Sequence, residues 1–302
     1  MEINELKNLL LEFGDNVRFE HDLKKKNWFN IGGKSKVFFK AENLKELVNF
    51  LKKLKGREKI FILGAGSNTL ITDNLFDGVV IKLGRNFSNI SLLGEDIIIA
   101  GSAALDKALS DFAINYNLSG FEFLSCIPGT IGGGIRMNAG CFGNEFKDIL
   151  ISIQAIDIFG NVINLPAEKI KFEYRKTSLS DDLVFLSASF KGVKGDQKKI
   201  KNFTNELKLK KEKAQPIRIK TSGSTFKNPI SQTKKKVWEL IKDSVPLDKN
   251  FGDACISDKH CNFFVNKGNA TFEDMSKLIN FVSKRVLDKT GISLEKEIKI
   301  LE

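Results

Sequence analysis

The sequence is poor in the residues that most metal sites and disulfide frameworks require. Its 302 residues include two histidines, four cysteines and five prolines. The cysteines, Cys126, Cys141, Cys255 and Cys261, show no C-x-x-C spacing, so the pattern indicates neither a zinc site nor a disulfide scaffold. We therefore expect no metal, and reduced thiols in a cytoplasmic protein.

Long apolar runs and a leader pattern are also missing. No stretch approaches the ~20 apolar residues of a membrane helix, and residues 1–14 are acidic and amphipathic, unlike a signal peptide. Although the net charge is +11, only seven of the 48 basic residues are arginines. Base recognition favours arginine, and no nucleic-acid module pattern is present. We expect no membrane or nucleic-acid partner, and a lysine-rich surface that attracts acidic small molecules.

Glycine, by contrast, is concentrated in residues 127–143, here called the glycine segment. This segment holds six of the 24 glycines and almost no charge. Glycine and proline are the poorest helix formers, and glycine leaves no side chain to pack in a strand, so we expect neither element. An ordinary surface loop would carry Ser, Lys or Asp in place of Ile131, Ile135 and Met137. The segment predicts a mostly buried backbone cradle whose N–H groups approach a large anionic ligand.

A second glycine-containing turn follows the apolar run at residues 60–63. Residues 64–68 read Gly-Ala-Gly-Ser-Asn, which predicts a strand leading into a tight turn with free N–H groups. A Rossmann motif would need a third glycine at Thr69 and a long apolar helix after it. The Gly-Gly-Lys-Ser sequence ending at Ser35 is no P-loop, because Trp28 stands where the first glycine is required. The turn therefore predicts a diphosphate cradle without a Rossmann fold.

Hydrophobic periodicity predicts the remaining elements. Helices are expected at residues 6–13, 44–54, 105–116, 196–213, 233–242 and 271–289. Strands are expected at residues 37–39, 60–63, 79–83, 97–100, 149–158, 162–165, 183–190, 263–265 and 297–301. Strands with an early helix, followed by more strands, favour an α+β fold over a regular βαβ array.

Three polar segments are candidates for chemistry: residues 174–177, 222–229 and 257–263. Taken alone, an arginine or serine in a loop is more often a surface or capping residue. No nucleophile elbow or Ser-His-Asp order surrounds Ser224. Covalent acyl transfer is therefore disfavoured.

Six motifs occur in a fixed order along the chain. They are Leu-Gly-Ala-Gly-Ser-Asn-Thr-Leu (63–70), Ile-Pro-Gly-Thr-Ile-Gly-Gly-Gly-Ile-Arg-Met-Asn-Ala-Gly (127–140), Tyr-Arg (174–175), Gln-Pro (215–216), Gly-Ser-Thr-Phe-Lys-Asn-Pro (223–229) and Asn-Phe-Phe-Val-Asn (262–266). Together they resemble the UDP-N-acetylenolpyruvoylglucosamine reductase (MurB) family, flavoenzymes of peptidoglycan precursor synthesis. The resemblance runs from about residue 27 onward and points to the shorter subgroup, which lacks an extra tyrosine-bearing loop.

The resemblance implies a fold and a reaction. The fold is α+β, with a two-lobed FAD-binding domain of the vanillyl-alcohol-oxidase (PCMH) type at residues 1–198, its lobes being about 1–75 and 76–198. A C-terminal α+β substrate-binding domain follows at 199–302, and its tail, 292–302, returns to the active site. The cofactors implied are FAD and NADPH, and the reaction is reduction of UDP-N-acetylglucosamine enolpyruvate to UDP-N-acetylmuramate by a cytoplasmic monomer.

The resemblance also implies roles for single residues. Ser224 matches the proton donor to C2 of the enolpyruvyl group, and Arg175 with Glu297 matches the pair that stabilises the enolate. Without the resemblance, Glu297 would be interpreted as an exposed carboxylate at a strand end. FAD contacts are implied for Gly64, Ala65, Gly66, Ser67, Asn68, Pro128, Gly129, Thr130, Gly132 and Gly133. Substrate contacts are implied for Tyr174, Lys227, Asn228 and Lys259.

Two other functions stay open. One is an FAD-dependent oxidase of the same fold that acts on an alcohol or hydroxy acid; the loop at 223–229 and the lack of a histidine suited to covalent flavin attachment count against it. The other is a non-catalytic nucleotide-sugar-binding protein, against which the joint presence of Ser224, Arg175 and Glu297 counts.

Overall fold

The computed structural model describes residues 1–216 and 219–302. Its mixture of helices and short strands agrees with the predicted α+β class. The helices are α1 (Ile3–Leu9), α2 (Leu44–Leu54), α3 (Asp106–Asn115), α4 (Ile131–Arg136), α5 (Gln197–Ala214), α6 (Val237–Ser244) and α7 (Phe272–Thr290). The strands are β1 (Val17–Asp22), β2 (Lys34–Ala41), β3 (Ile60–Ile62), β4 (Thr69–Ile71), β5 (Phe76–Leu83), β6 (Ile90–Leu93), β7 (Ile97–Gly101), β8 (Leu118–Ser119), β9 (Gly140–Cys141), β10 (Asn144–Glu145), β11 (Leu150–Ile156), β12 (Val162–Pro166), β13 (Phe172–Glu173), β14 (Lys176–Thr177), β15 (Val184–Lys191), β16 (Val193–Lys194), β17 (Asn250–Phe251), β18 (Ala254–Ile256), β19 (Phe264–Asn266) and β20 (Lys299–Leu301).

Two compact units are present, and each is made of separate stretches of chain. The first contains residues 1–19, 36–65 and 77–211, and the second contains residues 20–35, 66–76 and 212–302. Each unit is a set of residues that pack together. The expected division after residue 198 instead concerns which residues bind FAD and which bind substrate. That division stays a prediction.

The first unit contains a five-stranded antiparallel sheet of order β12-β11-β15-β7-β6. The predicted hairpin is confirmed, because β11 pairs with β12. Apolar side chains such as Ile98, Ile153 and Phe190 are fully buried in the core of this sheet. A second sheet has the order β1-β2-β5-β3, with β3 parallel to β5.

Helix α2 spans the residues predicted from periodicity. The Asn43 side chain accepts a hydrogen bond from the Glu46 N–H (3.0 Å) and so caps the helix N-terminus. Four apolar side chains of this helix, Leu47, Phe50, Leu51 and Leu54, are fully buried. The helix ends at Lys55, which adopts a left-handed conformation.

The glycine segment departs from expectation, because it forms the short helix α4. The prediction of no helix is therefore wrong for residues 131–136. Tertiary contacts overcome the low propensity: the Ile131 N–H donates to Ala104 O and the Gly132 N–H to Ser102 O, both at 2.9 Å. Gly134 is needed for packing, since a Cβ there would lie 2.3 Å from the ring of Phe146.

The second unit contains the three-stranded antiparallel sheet β17-β18-β19 together with α6 and α7. Helix α7 begins after a capping box formed by Thr271 and Asp274. Helix α6 begins at Val237, later than the expected residue 233, because the Val237 N–H donates to the Asn228 side chain (3.0 Å). Strand β20 pairs in parallel with β4.

Across residues 1–216 and 219–302, no helix combines the length and the apolar character required to span a membrane. Within the same ranges, no group of three or more His, Cys, Asp or Glu side chains could hold a metal ion.

Candidate functional site

The glycine segment presents an accessible backbone on one side and a packed face on the other. Pro128 and Gly133 are exposed and Gly129 and Gly132 are half-buried, while neighbouring Ile131 is fully buried. The Gly132 N–H already donates a hydrogen bond to Ser102 O. Gly132 therefore offers a ligand close approach to the backbone but not a free N–H group.

Gly64 and Thr130, two of the predicted FAD-binding residues, lie together in the first unit. A Cβ on Gly64 would lie 2.6 Å from Thr130 Oγ1, so the Thr130 hydroxyl would have to shift to admit a larger residue. The Gly64 carbonyl accepts a hydrogen bond from Lys82 Nζ (2.6 Å), which places a cation beside the turn. Ala65, the next residue, is half-buried.

The rest of this turn belongs to the second unit. Gly66 is buried with φ +68°, and a Cβ there would lie 2.2 Å from Lys26 O. Its carbonyl accepts a hydrogen bond from the Trp28 N–H (3.0 Å). Ser67 and Asn68 are half-buried. Asn68 Nδ2 donates to Glu297 O (3.0 Å), so the structure brings a predicted FAD-binding residue next to a predicted catalytic residue.

These residues fit FAD in the way that glycine-rich cradles fit diphosphates. At Gly64 and Gly66 the space that a side chain would need is filled by protein atoms, so the backbone itself forms the surface. In the first unit, exposed Pro128 and Gly133 likewise present a surface without bulky side chains. The Lys82 ammonium adds positive charge that suits an anionic ligand.

Two cysteines, Cys126 and Cys141, flank residues 127–140 of the glycine segment. A hydrogen bond from the Cys141 thiol lowers the pKa of Cys126 to about 6. Burial opposes this shift, whereas the positive charge of Lys211 lowers the pKa of Cys126 further. The same hydrogen bond, together with burial, raises the pKa of Cys141. Lys211 also donates a hydrogen bond to the Cys126 carbonyl. The two thiols therefore lie together close to a half-buried cation, Lys211.

Arg175 lies in the two-residue turn between β13 and β14. Its φ is +55°, a conformation that costs a residue other than glycine about 1–2 kcal/mol. Its guanidinium donates from Nη2 to Gly140 O (2.7 Å), and Nη1 lies 3.9 Å from Glu145 Oε1. The Tyr174 ring lies 5.1 Å from the guanidinium carbon. The turn therefore holds Tyr174 and Arg175 as neighbours in the first unit.

Ser224 and Glu297 lie on adjacent segments of the second unit. Ser224 forms an antiparallel bridge with Phe263, and the Glu297 N–H donates to Thr225 O (2.8 Å). Buried Asn262 fixes this loop with two side-chain hydrogen bonds to the Phe226 backbone (2.9 and 3.1 Å). Ser224 and Glu297 are both half-buried.

The three predicted substrate-binding residues of the second unit already have protein partners. Lys227 forms an ion pair with exposed Glu295 (2.5 Å). Asn228 accepts the Val237 N–H at the start of α6, and Lys259 Nζ donates to Glu212 O (2.5 Å). Glu295 is exposed, whereas Glu297 is half-buried; the choice of Glu297 over Glu295 as the catalytic carboxylate stays a prediction.

Three polar residues of the first unit were not predicted from the sequence. Asp106 and Asn138 are fully buried, and the Glu145 side chain is only 17% exposed. Asp106 donates its N–H to Gly129 O (3.2 Å). The available signal was a polar residue within an otherwise apolar stretch, which also occurs at ordinary caps and turns.

Comparison with known proteins agrees with this geometry. An "FAD binding domain" family model matches residues 35–166, and a model of the "UDP-N-acetylenolpyruvoylglucosamine reductase, C-terminal domain" matches residues 215–301. A curated UDP-N-acetylenolpyruvoylglucosamine reductase of Pelagibacter ubique is 66% identical over the full length of both chains. Another, of Rickettsia bellii, is 45% identical over 93% of this chain and 92% of its own.

A solved structure adds the fold. The crystal structure of UDP-N-acetylenolpyruvylglucosamine reductase from Thermus caldophilus has a TM-score of 0.80 and 28% identity, and covers 95% of this chain and 98% of its own. The glycine cradle, the two matched domains and the full-length identity lead to one conclusion. The chain belongs to the UDP-N-acetylenolpyruvoylglucosamine reductase family of FAD-containing oxidoreductases.

Proposed function

We propose that this chain reduces UDP-N-acetylglucosamine enolpyruvate to UDP-N-acetylmuramate in peptidoglycan precursor synthesis, using FAD and NADPH. The observation that carries the proposal is the 66% identity, over full length, to a curated reductase of that name. The two glycine-lined surfaces at residues 64–68 and 128–133 support FAD binding. The proposal places the enzyme in the cytoplasm as a monomer, acting on a small molecule without a nucleic-acid or membrane partner.

Bound FAD supplies the two-electron transfer between NADPH and the substrate double bond. Hydride addition at C3 of the enolpyruvyl group leaves negative charge at C2, and this charge is delocalised into the carboxylate of the substrate. In the proposal, the Arg175 guanidinium stabilises this charge together with Glu297. The Ser224 hydroxyl gives a proton to C2.

The local geometry supports these roles separately in each unit. A turn with positive φ, a hydrogen bond to Gly140 O and an ion pair with Glu145 hold Arg175 in place. Asn262 and the backbone bonds of Thr225 fix the segment that carries Ser224. Fixed groups stabilise a transition state without reorganising at the moment of reaction.

We propose that Tyr174, Lys227, Asn228 and Lys259 contact the substrate. The ion pair of Lys227 with Glu295 and the hydrogen bond of Lys259 to Glu212 O keep both ammonium groups positioned before an anionic diphosphate arrives. Ammonium groups suit phosphate as point charges.

The function is tested by the visible spectrum of the purified protein under anaerobic conditions. We expect flavin bands that bleach with NADPH and return on addition of UDP-N-acetylglucosamine enolpyruvate. Flavin bands that stay bleached with this substrate would favour the oxidase, and a protein without flavin would favour the nucleotide-sugar-binding function.

The Ser224→Ala variant tests the proposed proton donor. We expect NADPH to reduce its flavin at the normal rate, while reoxidation by the enolpyruvyl substrate slows by roughly 10²–10⁴-fold, the scale of a positioned general acid. Stopped-flow absorbance separates the two half-reactions, and Ser231→Ala, at an exposed serine of the same unit, is the control. Equal loss in both half-reactions would remove Ser224 from this role.

A further inference from the structure

Glu145 lies at the end of strand β10, opposite Gly140 of strand β9. Its Oε2 accepts hydrogen bonds from Asn138 Nδ2 and from Lys147 Nζ, both at 2.9 Å. Its Oε1 lies 3.9 Å from Arg175 Nη1. One carboxylate therefore connects a buried amide and two cations.

The paired residues of this hairpin contact one guanidinium in two ways, by a hydrogen bond and by an ion pair. Arg175 Nη2 donates to Gly140 O (2.7 Å), and Arg175 Nη1 lies near the carboxylate of Glu145, the register partner of Gly140. The planar guanidinium has its donors in a fixed fork, so contact at both Nη1 and Nη2 restricts its rotation as well as its position.

Gly140 makes this arrangement possible. A Cβ at position 140 would lie 2.8 Å from Glu145 Cγ and 2.3 Å from Asn144 O. The Glu145 side chain therefore occupies the space that a Cβ at position 140 would need. Because Asn144 O is a backbone atom, a larger residue at position 140 could not be accommodated by a change in the Glu145 rotamer alone.

Asn138 connects the same carboxylate to the turn that carries Arg175. Its side chain donates to Glu145 Oε2 and to Glu173 O (3.1 Å), two residues before Arg175. It also accepts the Lys147 N–H (3.1 Å). Asn138 is fully buried and has φ +40°, so its position is fixed by packing.

From these contacts we propose that Glu145 is a positioning residue that orients the Arg175 guanidinium for the enolate. The inference rests on the proposed function, in which Arg175 stabilises that charge. A partly exposed ion pair at 3.9 Å contributes little stability, so orientation is the main effect of Glu145. Misplacement of a catalytic group by about 1 Å can cost about 10²-fold in rate.

The first test is Glu145→Gln, which removes the charge but keeps a hydrogen-bond acceptor for Asn138. With the enolpyruvyl substrate we expect kcat to fall roughly 10–100-fold with KM changed far less, since the lost interaction belongs to the transition state. FAD content and the rate of flavin reduction by NADPH should stay normal. A loss of FAD, or an equal slowing of both half-reactions, would overturn the proposal.

Two control variants separate positioning from local structure. Lys147→Met removes the other cation from the same carboxylate, and Asp148→Ala removes the side chain that accepts the Glu145 N–H (2.8 Å). Both variants keep the Glu145 charge and its contact with Arg175, so we expect normal kcat from both. If Asp148→Ala slows the substrate step as much as Glu145→Gln, the turn and not the carboxylate is responsible, and the proposal fails.

A double-mutant cycle separates this inference from the proposed function. Glu145→Gln should have no further effect in an Arg175→Ala background, because it acts through that guanidinium. If the losses in kcat of the two single variants add in the double variant, the positioning role alone is overturned. The same holds if Arg175→Ala slows the substrate step while Glu145→Gln is fully active. If Arg175→Ala leaves the substrate step unchanged, the role of Arg175 and the positioning role both fail.

Discussion

The carboxyl of Asp106 is fully buried, and neither of its oxygens has a hydrogen-bond partner among the described atoms. An ionised carboxylate is costly without water or a partner. Burial therefore raises the pKa of Asp106 well above its ordinary value of 3.8. The folded protein keeps this proton at pH values where the unfolded chain has lost it.

This difference predicts the pH dependence of stability. Above about pH 4 the unfolded state binds fewer protons than the folded state at this site, so the free energy of unfolding falls as pH rises toward the raised pKa. The slope is at most about 1.4 kcal/mol per pH unit. Asp106→Asn should remove this decline, so its stability relative to the unsubstituted protein should increase between pH 5 and 8.

Urea denaturation at a series of pH values measures this effect. Asp288→Asn, at an exposed aspartate of helix α7, is the control and should leave the pH dependence unchanged. Parallel pH profiles for Asp106→Asn and the unsubstituted protein would show that the Asp106 carboxyl does not retain its proton on folding.

At the residue scale, the sequence could indicate which residue types carry chemistry but not how they are held. The Tyr-Arg and Gly-Ser-Thr-Phe-Lys-Asn-Pro motifs were visible in the sequence. The contacts of Arg175 with Gly140 and Glu145 were not, because they join two hairpins, β9–β10 and β13–β14, that lie apart in the sequence and do not pair as strands. The buried positions of Asp106 and Asn138 likewise depend on tertiary packing, which the local pattern does not contain.

Among the elements, helix α4 shows how packing overrides propensity. Its three consecutive glycines disfavour a helix, yet Gly134 faces the fully buried ring of Phe146. That ring packs edge-on against Phe123 and Phe190, with centroids 6.3 and 6.1 Å away. The ring therefore has little room to move, and glycine at 134 is required by the core rather than by the ligand.

Gly133 and Gly134 form a matched pair for testing this difference. Gly134→Ala should lower the free energy of unfolding by about 1–3 kcal/mol through overpacking. An added Cβ at Gly133 would meet only Thr130 Oγ1, at an ordinary 3.6 Å, so Gly133→Ala should keep or raise stability while weakening FAD binding. Urea denaturation and flavin content measure the two effects.

Equal stability of the two variants would contradict the packing role of Gly134. Unchanged flavin content in Gly133→Ala would contradict the proposed contact between FAD and Gly133.

Elements with strong local periodicity were predictable from the sequence. Helices α2, α5 and α7 lie within one residue of their expected bounds. The start of α6 was not predictable, since it is set by a hydrogen bond from Val237 to Asn228 across a loop. The parallel pairing of β20 with β4 was hidden for the same reason, because short strands carry no record of distant partners.

For the whole molecule, composition and motif order carried most of the information. The net charge of +11 comes mainly from lysine and suits a protein whose proposed ligands, NADPH, FAD and a UDP-sugar, are all anionic. The sequence order did not reveal that each compact unit is assembled from three separate stretches of chain. Interleaving of this kind depends on long-range contacts, which hydrophobic periodicity does not encode.

The pairing of β20 with β4 has a consequence for synthesis on the ribosome. Asn68 and its partner Glu297 are separated by 229 residues, which at about 5–20 residues per second corresponds to roughly 10–50 s of translation. Throughout that interval the nascent chain carries β4 without the neighbour that completes its hydrogen bonds. The second unit can therefore close only late in translation, after its last strand has been made.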